Sequence, residues 1–270
     1  MTPISRRLGA TLLAGAFGLA ALAPLATFAQ PAPGAQPPKP TIVLVHGAFA
    51  DSSSWDGVVR DLQKRHYPVI AAANALRGPA SDAASVAAVV DSVKGPVVLV
   101  GHSYGGSVIT AAANGKPNVK ALVYVAAFAP EAGETALGLT GKFPGSTLGP
   151  TLAPPVPLAD GGKDLYIDQG KFPAQFAADV PLAQARLMAV GQRPIAEAAL
   201  NEAAQAPAWK SVPSWFVYGD RDKNIPPAAM AFMAERAHAK KTVVVKGASH
   251  VVMTSQPEAV TRVIVEAAGG

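Results

Sequence analysis

The chain has 270 residues, 50% of them hydrophobic and 15% charged, with a formal charge of +5 and no cysteine. That length and apolar content suit one substantial core in a single domain, and the lack of cysteine excludes disulfides, thiol chemistry and cysteine-based metal sites. The excess of basic residues is small and scattered, which argues against nucleic acid as a partner.

Arg6 and Arg7 precede an apolar run over residues 8–26, and Thr27 and Ala29 supply small residues at the −3 and −1 positions of a cleavage site. This is the pattern of a signal peptide over residues 1–29. Gly9, Gly15, Gly18 and Pro24 dilute the run and set it apart from a retained membrane anchor. The expectation is an exported protein, periplasmic or secreted, with no membrane span after cleavage. Its charge then falls to +3, from 21 basic and 18 acidic residues. Residues 30–40, with Pro31, Pro33, Pro37, Pro38 and Pro40, read as an extended tether.

From residue 41 onward, short apolar and β-branched runs recur at 41–45, 68–72, 96–100, 121–126, 214–218 and 242–245. Runs apolar at nearly every position suit strands covered on both faces, as in a parallel sheet. Helix-length segments separate them at 53–65, 81–93, 104–114, 227–239 and 256–267. Such alternation implies right-handed βαβ crossovers and an α/β, doubly wound, mostly parallel six-stranded sheet with helices on both faces. The alternation breaks over residues 128–212, which are rich in Pro and Gly. A structureless loop of that length does not suit a compact domain, so a small helical cap is expected there, with helical patterns at 172–179 and 182–190. Inserted after a sheet strand, it would overhang the ligand-binding edge of the sheet.

The third run leads directly into Gly101, His102, Ser103, Tyr104 and Gly105, with a helical pattern following. This is G-x-S-x-G in a strand-turn-helix setting, where a tight turn lifts the serine hydroxyl out at the head of a helix. A serine hydroxyl is a weak nucleophile and needs a base held by a third group. In this arrangement the acid and then the His follow on loops after the last two strands. His250 stands after the sixth run and is the expected base. After the fifth run come Asp220 and Asp222; Asp222, in G-x-x-D ahead of Pro226 and Pro227, is favoured, while Asp220 is the alternative or a turn cap. Backbone N–H groups of Tyr104, after the nucleophile, and Ala48, in the loop after the first run, are expected to face a developing oxyanion. His46 on that loop is read as a buried residue orienting it. His66 and His238 fall near helix ends. Phe49 and Val251 adjoin this machinery and are assigned to the substrate pocket, with Tyr104 as part of the same apolar wall. Tyr166, Phe172, Phe176 and Trp209 are candidate pocket aromatics from the cap.

Val43-Leu44-Val45-His46-Gly47-Ala48 with Trp55 close behind, Gly101-His102-Ser103-Tyr104-Gly105-Gly106 and Gly247-Ala248-Ser249-His250 together resemble the α/β-hydrolase superfamily. Within it the chain is similar to the small group containing plant methyl-ester hydrolases, hydroxynitrile lyases and their bacterial relatives. The resemblance implies a cofactor-free, metal-free ester hydrolase with Ser103, Asp222 and His250 as triad and a small-molecule ester as its partner. The lyases carry Thr where this chain has Gly47 and Lys where it has Val251, so both departures favour hydrolysis. Two other readings remain beside it. One is a cofactor-free perhydrolase or haloperoxidase-like activity using the same triad with peroxide in place of water. The other is a non-catalytic small-ligand-binding protein on the same fold.

Overall fold

Why the six apolar runs become strands is visible in how they are covered. A computed structural model describes residues 38–269; the signal peptide expected at 1–29 and the tether before residue 38 lie outside the described residues. β1 (Thr41–Val45) runs through a short 3-10 turn into α1 (Asp56–Lys64), followed by β2 (Val69–Ala72), α2 (Pro79–Ser92), β3 (Val97–His102), α3 (Tyr104–Ala112) and β4 (Val119–Val125). Next come α4 (Ala136–Gly141), β5 (Val156–Pro157), β6 (Lys163–Leu165), α5 (Phe172–Phe176), α6 (Leu182–Gly191), β7 (Ile195–Ala196) and α7 (Glu197–Asn201). The chain closes with β8 (Ser214–Gly219), α8 (Pro227–Arg236), β9 (Lys241–Val245), α9 (Val252–Ser255) and α10 (Pro257–Ala267).

The main sheet has the order β2-β1-β3-β4-β8-β9, and every pairing in it is parallel. β3 is buried at every position, whereas the edge strands β2 and β9 are largely half-covered or exposed. The all-apolar pattern therefore reports centrality in the sheet, since only inner strands carry helices over both faces. α1 packs on α10 and α2 on α3, and right-handed crossovers in this strand order put the two pairs on opposite faces. β4 begins at Val119, ahead of its expected start: Lys120 is exposed where the register shifts, so Val97 pairs with Val119 and Val98 with Ala121.

The insertion after β4 contains the expected short helices and, beyond that expectation, a small sheet. Four short helices share it with a three-stranded sheet in the order β5-β6-β7, both of whose pairings are antiparallel. These strands are two or three residues long, too short to leave a period-2 signature. Polar contacts seat the cap on the sheet's loops. Arg77 meets Asp164 at 2.6 Å, Ala196 N–H donates to Leu76 O at 3.0 Å, and Phe49 N–H to Arg193 O at 3.0 Å. Arg236 on α8 holds Glu134 through two bonds of 2.8 Å. Among the described residues no helix is long and apolar enough to cross a membrane.

Candidate active site

At the end of β3 the chain enters a turn with little room for side chains. Ser103, the residue capping α3, has φ 54° and ψ −124°, a conformation that costs a non-glycine residue of order 1–3 kcal/mol. A Cβ at Gly101 would stand 2.5 Å from the Gly105 carbonyl oxygen. One at Gly47 would stand 2.6 Å from both the His102 carbonyl oxygen and Ser103 Cβ. The loop after β1 is thus pressed against the Ser103 turn, and glycine is required by that close approach. Ser103 N–H donates to Val125 O, and Ser103 O accepts from the N–H groups of Gly106 and Phe128, so backbone bonds from β4 and from α3 hold the strained residue.

Ser103 and His250 line one cavity of about 270 Å³, together with Ala48, Phe49 and Tyr104. Ala48 and Tyr104, whose backbone N–H groups are the expected oxyanion donors, both line this cavity. A larger groove of about 500 Å³ lies on another side of Phe49, lined by Asp51, Arg60 and Met188 among others, and neither Ser103 nor His250 reaches it. A serine and a histidine on one wall, and not size, single out the smaller cavity as the candidate site.

His250 Nδ1 lies 2.7 Å from Asp222 Oδ2, and both side chains are fully buried or nearly so. The other carboxylate oxygen, Oδ1, accepts the N–H groups of Asn224 at 2.8 Å and Ile225 at 3.0 Å. Both oxygens are occupied, which fixes the rotation of the carboxylate and with it the plane of the imidazole. Asp220 faces elsewhere: its exposed side chain accepts Gly247 N–H at 2.6 Å. It joins the loops after β8 and β9 as a turn residue.

Two further histidines surround the site as neutral groups. His46 Nδ1 donates to Gly47 O at 3.0 Å, and its Nε2 accepts Asn74 N–H at 3.1 Å. Burial lowers its pKa below the ordinary 6.5, and its bond to Asn74, with that of Asn74 Nδ2 to His46 O at 2.9 Å, ties the loop after β1 to the loop after β2. His102, the residue before Ser103, is completely buried; its Nε2 donates to the His250 carbonyl at 3.1 Å, and the two rings lie 4.8 Å apart. Burial first, and the neighbouring His250 second, hold its pKa well below 6.5. Sequence reasoning missed this support, because G-x-S-x-G leaves its first variable position without a role. His66 and His238 follow α1 and α8 at φ 59° and 48°, and neither lines the cavity.

The pocket assignments divide. Phe49 lines the cavity, edge-on to Phe176 at 6.1 Å. Val251 does not: the chain turns inward after His250, and Val251 is wholly buried in the core cluster. Tyr104 lines the cavity, but its hydroxyl donates to Asp82 Oδ2 on α2 at 2.8 Å, and burial followed by Asp82 pushes its pKa far above the usual 10.0. Of the four candidate aromatics Tyr166, Phe172, Phe176 and Trp209, Phe176 lines the cavity and the other three do not. Phe172 packs behind Phe176 at 4.8 Å, and Trp209 donates its indole N–H to Pro130 O at 3.0 Å. Leu137, Leu148, Leu152 and Leu200 complete much of the wall; only three-dimensional proximity marks them.

Sheet order, strained serine and buried Asp–His pair all belong to one kind of architecture. Residues 42–263 match the alpha/beta hydrolase family, and the chain belongs to it. A relative from Aspergillus novofumigatus, alpha/beta hydrolase nvfD, is 24% identical over 251 residues, covering 86% of this chain and 97% of its own. Among solved structures, polyneuridine aldehyde esterase superposes with a TM-score of 0.74 at 19% identity, over 84% of this chain and 98% of that one. A pyrethroid hydrolase from Sphingobium faniae gives 0.67 at 22% identity, over 86% and 98%. At these identities the structural likeness establishes the fold.

Proposed function

We propose that this protein is a serine hydrolase that cleaves small to medium carboxylic esters through an acyl-enzyme. The reading rests above all on the buried His250–Asp222 pair, 2.7 Å apart, whose His250 lines the same cavity as Ser103. With Nδ1 committed to Asp222, Nε2 is the ring nitrogen left for proton transfer. His250 Nε2 takes the proton of Ser103 Oγ as that oxygen bonds to the ester carbonyl carbon, and the carbonyl π pair moves onto its oxygen. The N–H groups of Ala48 and Tyr104 receive this oxyanion, a contribution on the order of 3 kcal/mol per donor in related sites. Collapse expels the alcohol, which takes the proton from Nε2. Water then repeats the sequence at the acyl carbon and releases the acid.

Two properties of the cavity support a neutral, largely apolar substrate. Its volume of about 270 Å³ is near the lower end of small-molecule sites, which begin at about 300 Å³. Its walls include Phe49, Phe128, Phe176 and Ile225 and no Lys or Arg, with Glu197 the one carboxylate.

The test is hydrolysis of nitrophenyl esters from acetate to decanoate by wild type and by Ser103→Ala. Expected is turnover favouring the shorter chains, with kcat reduced by about 10⁴-fold to 10⁶-fold in the variant. Comparable turnover by both would sink the serine mechanism. The pattern over residues 1–29 also supports export, for which N-terminal sequencing of extracytoplasmic protein should return Gln30 first; an intact Met1 there would overturn it.

A further inference from the structure

The acid and the base of the site lie on separate loops, after β8 and after β9, and one cap segment is bonded to both. Gln175, in α5, is 4% exposed. Its Nε2 donates to Lys223 O at 2.9 Å and to Asn224 Oδ1 at 2.8 Å, the two residues directly after Asp222. Its Oε1 accepts Thr147 Oγ1–H at 2.8 Å, so the amide is held at both ends and its orientation is set. Lys223 Nζ returns a bond to Ala174 O at 3.2 Å. A few residues on, Asp179 Oδ1 accepts the N–H of Ser249 at 3.1 Å and also its hydroxyl, immediately before His250. Between the two anchors, the Phe176 ring stands 5.0 Å from the His250 ring, edge-on.

We propose that Gln175 and Asp179 are positioning residues: the cap segment between them clamps the Asp222 loop to the His250 loop and so sets the geometry of the acid–base pair. The inference rests on the hydrolase reading for its kinetic consequences, but the clamp itself is geometric. Each anchor bonds the residue adjacent to a reacting one, so a shift of either loop is passed to the 2.7 Å contact between His250 and Asp222. Displacement of a reacting group by even 1 Å can cost about a hundredfold in rate. The cap in this view does more than cover the cavity.

The experiment uses the whole chain as wild type, Gln175→Met, Asp179→Ala, Asp179→Asn and Ser249→Ala. It reads nitrophenyl butyrate kinetics together with the downfield NMR resonance of the His250 Nδ1 proton. Gln175→Met and Asp179→Ala are expected to lose about tenfold to a hundredfold in kcat with KM changed by less than about twofold, and to broaden or shift the proton resonance. Asp179→Asn keeps an accepting oxygen and should recover most of the activity lost in Asp179→Ala. If Asp179→Ala does not fold, Ser249→Ala removes the hydroxyl donor from the same contact and should show the same changes on a smaller scale. Folded variants with wild-type kcat and an unmoved resonance, or with a change in KM alone, would overturn the proposal. Should the wild type cleave no ester, the resonance decides by itself: movement in Gln175→Met keeps the clamp while the esterase reading falls, and no movement removes both.

Discussion

The main sheet and the cap hold themselves together by different means. β1, β3 and β4 are mostly apolar, buried almost throughout and joined by parallel ladders. The cap has strands of two or three residues, and side-chain bonds such as Arg77–Asp164 and Arg236–Glu134 attach it to the domain beneath. Its helix α6 leaves Leu187 at 75% and Val190 at 70% exposure. Burial of apolar area is cooperative and insensitive to which neighbour supplies it, whereas a polar contact depends on particular partners. The sheet thereby supplies rigidity, and the cap supplies shape and specific contacts to the site.

Mutations sharpen this contrast in descending order of effect. Leu99→Ala, in the centre of β3 and fully buried, should cost about 2–5 kcal/mol of unfolding free energy in a denaturant titration; a loss below 1 kcal/mol would mean that the sheet tolerates voids as a loose structure does. Gly47→Ala would place a Cβ 2.6 Å from Ser103 Cβ and the His102 carbonyl. Separating the loop after β1 from the serine turn should lower kcat by roughly a hundredfold or more; unchanged kcat in a folded protein would remove the Ala48 amide from the mechanism.

A smaller effect should come from His102, whose pKa is held well below 6.5, by burial first. The folded protein refuses a proton that the unfolded chain accepts, so this contribution is complete above about pH 6.5 and declines as pH falls toward the folded value, by up to about 1.4 kcal/mol per pH unit. Melting temperatures measured across this range should fall more steeply for wild type than for His102→Gln. Parallel curves would show that other groups govern acid sensitivity. Smallest of all, Leu187→Gln on the exposed side of α6 should change stability by no more than about 0.5 kcal/mol; a larger loss would show that the cap buries this side chain against something in solution.

The same contrast explains what was legible in the sequence. Strands at 41–45 and 214–218 lie within elements at Thr41–Val45 and Ser214–Gly219, because a central parallel strand writes its burial into consecutive residues. Local turn chemistry and chain order single out Ser103, Asp222 and His250 in the sequence; in the structure His250 pairs with Asp222 at 2.7 Å and lines the same cavity as Ser103. The antiparallel cap strands were not legible, since two residues have no period. Val251 was placed in the pocket because it follows His250, and sequence adjacency says nothing of the backbone torsion that sends the next side chain inward. Gln175 and Asp179 were invisible for a related reason: each acts on a residue some 50 to 70 positions away, and no short motif records such a partnership.

The contact between Asp220 and Gly247 carries one more consequence. Arg221 N–H also donates to Ala248 O at 3.1 Å, and a Cβ at Gly219 would stand 2.1 Å from that same oxygen. The loops after β8 and β9 therefore fit each other as closely as a lock and its plate, with no clearance for a change in one alone. Anyone grafting the Asp222–His250 pair onto another scaffold must transplant residues 219–225 and 246–250 together, because either segment would arrive without the surface that shapes it.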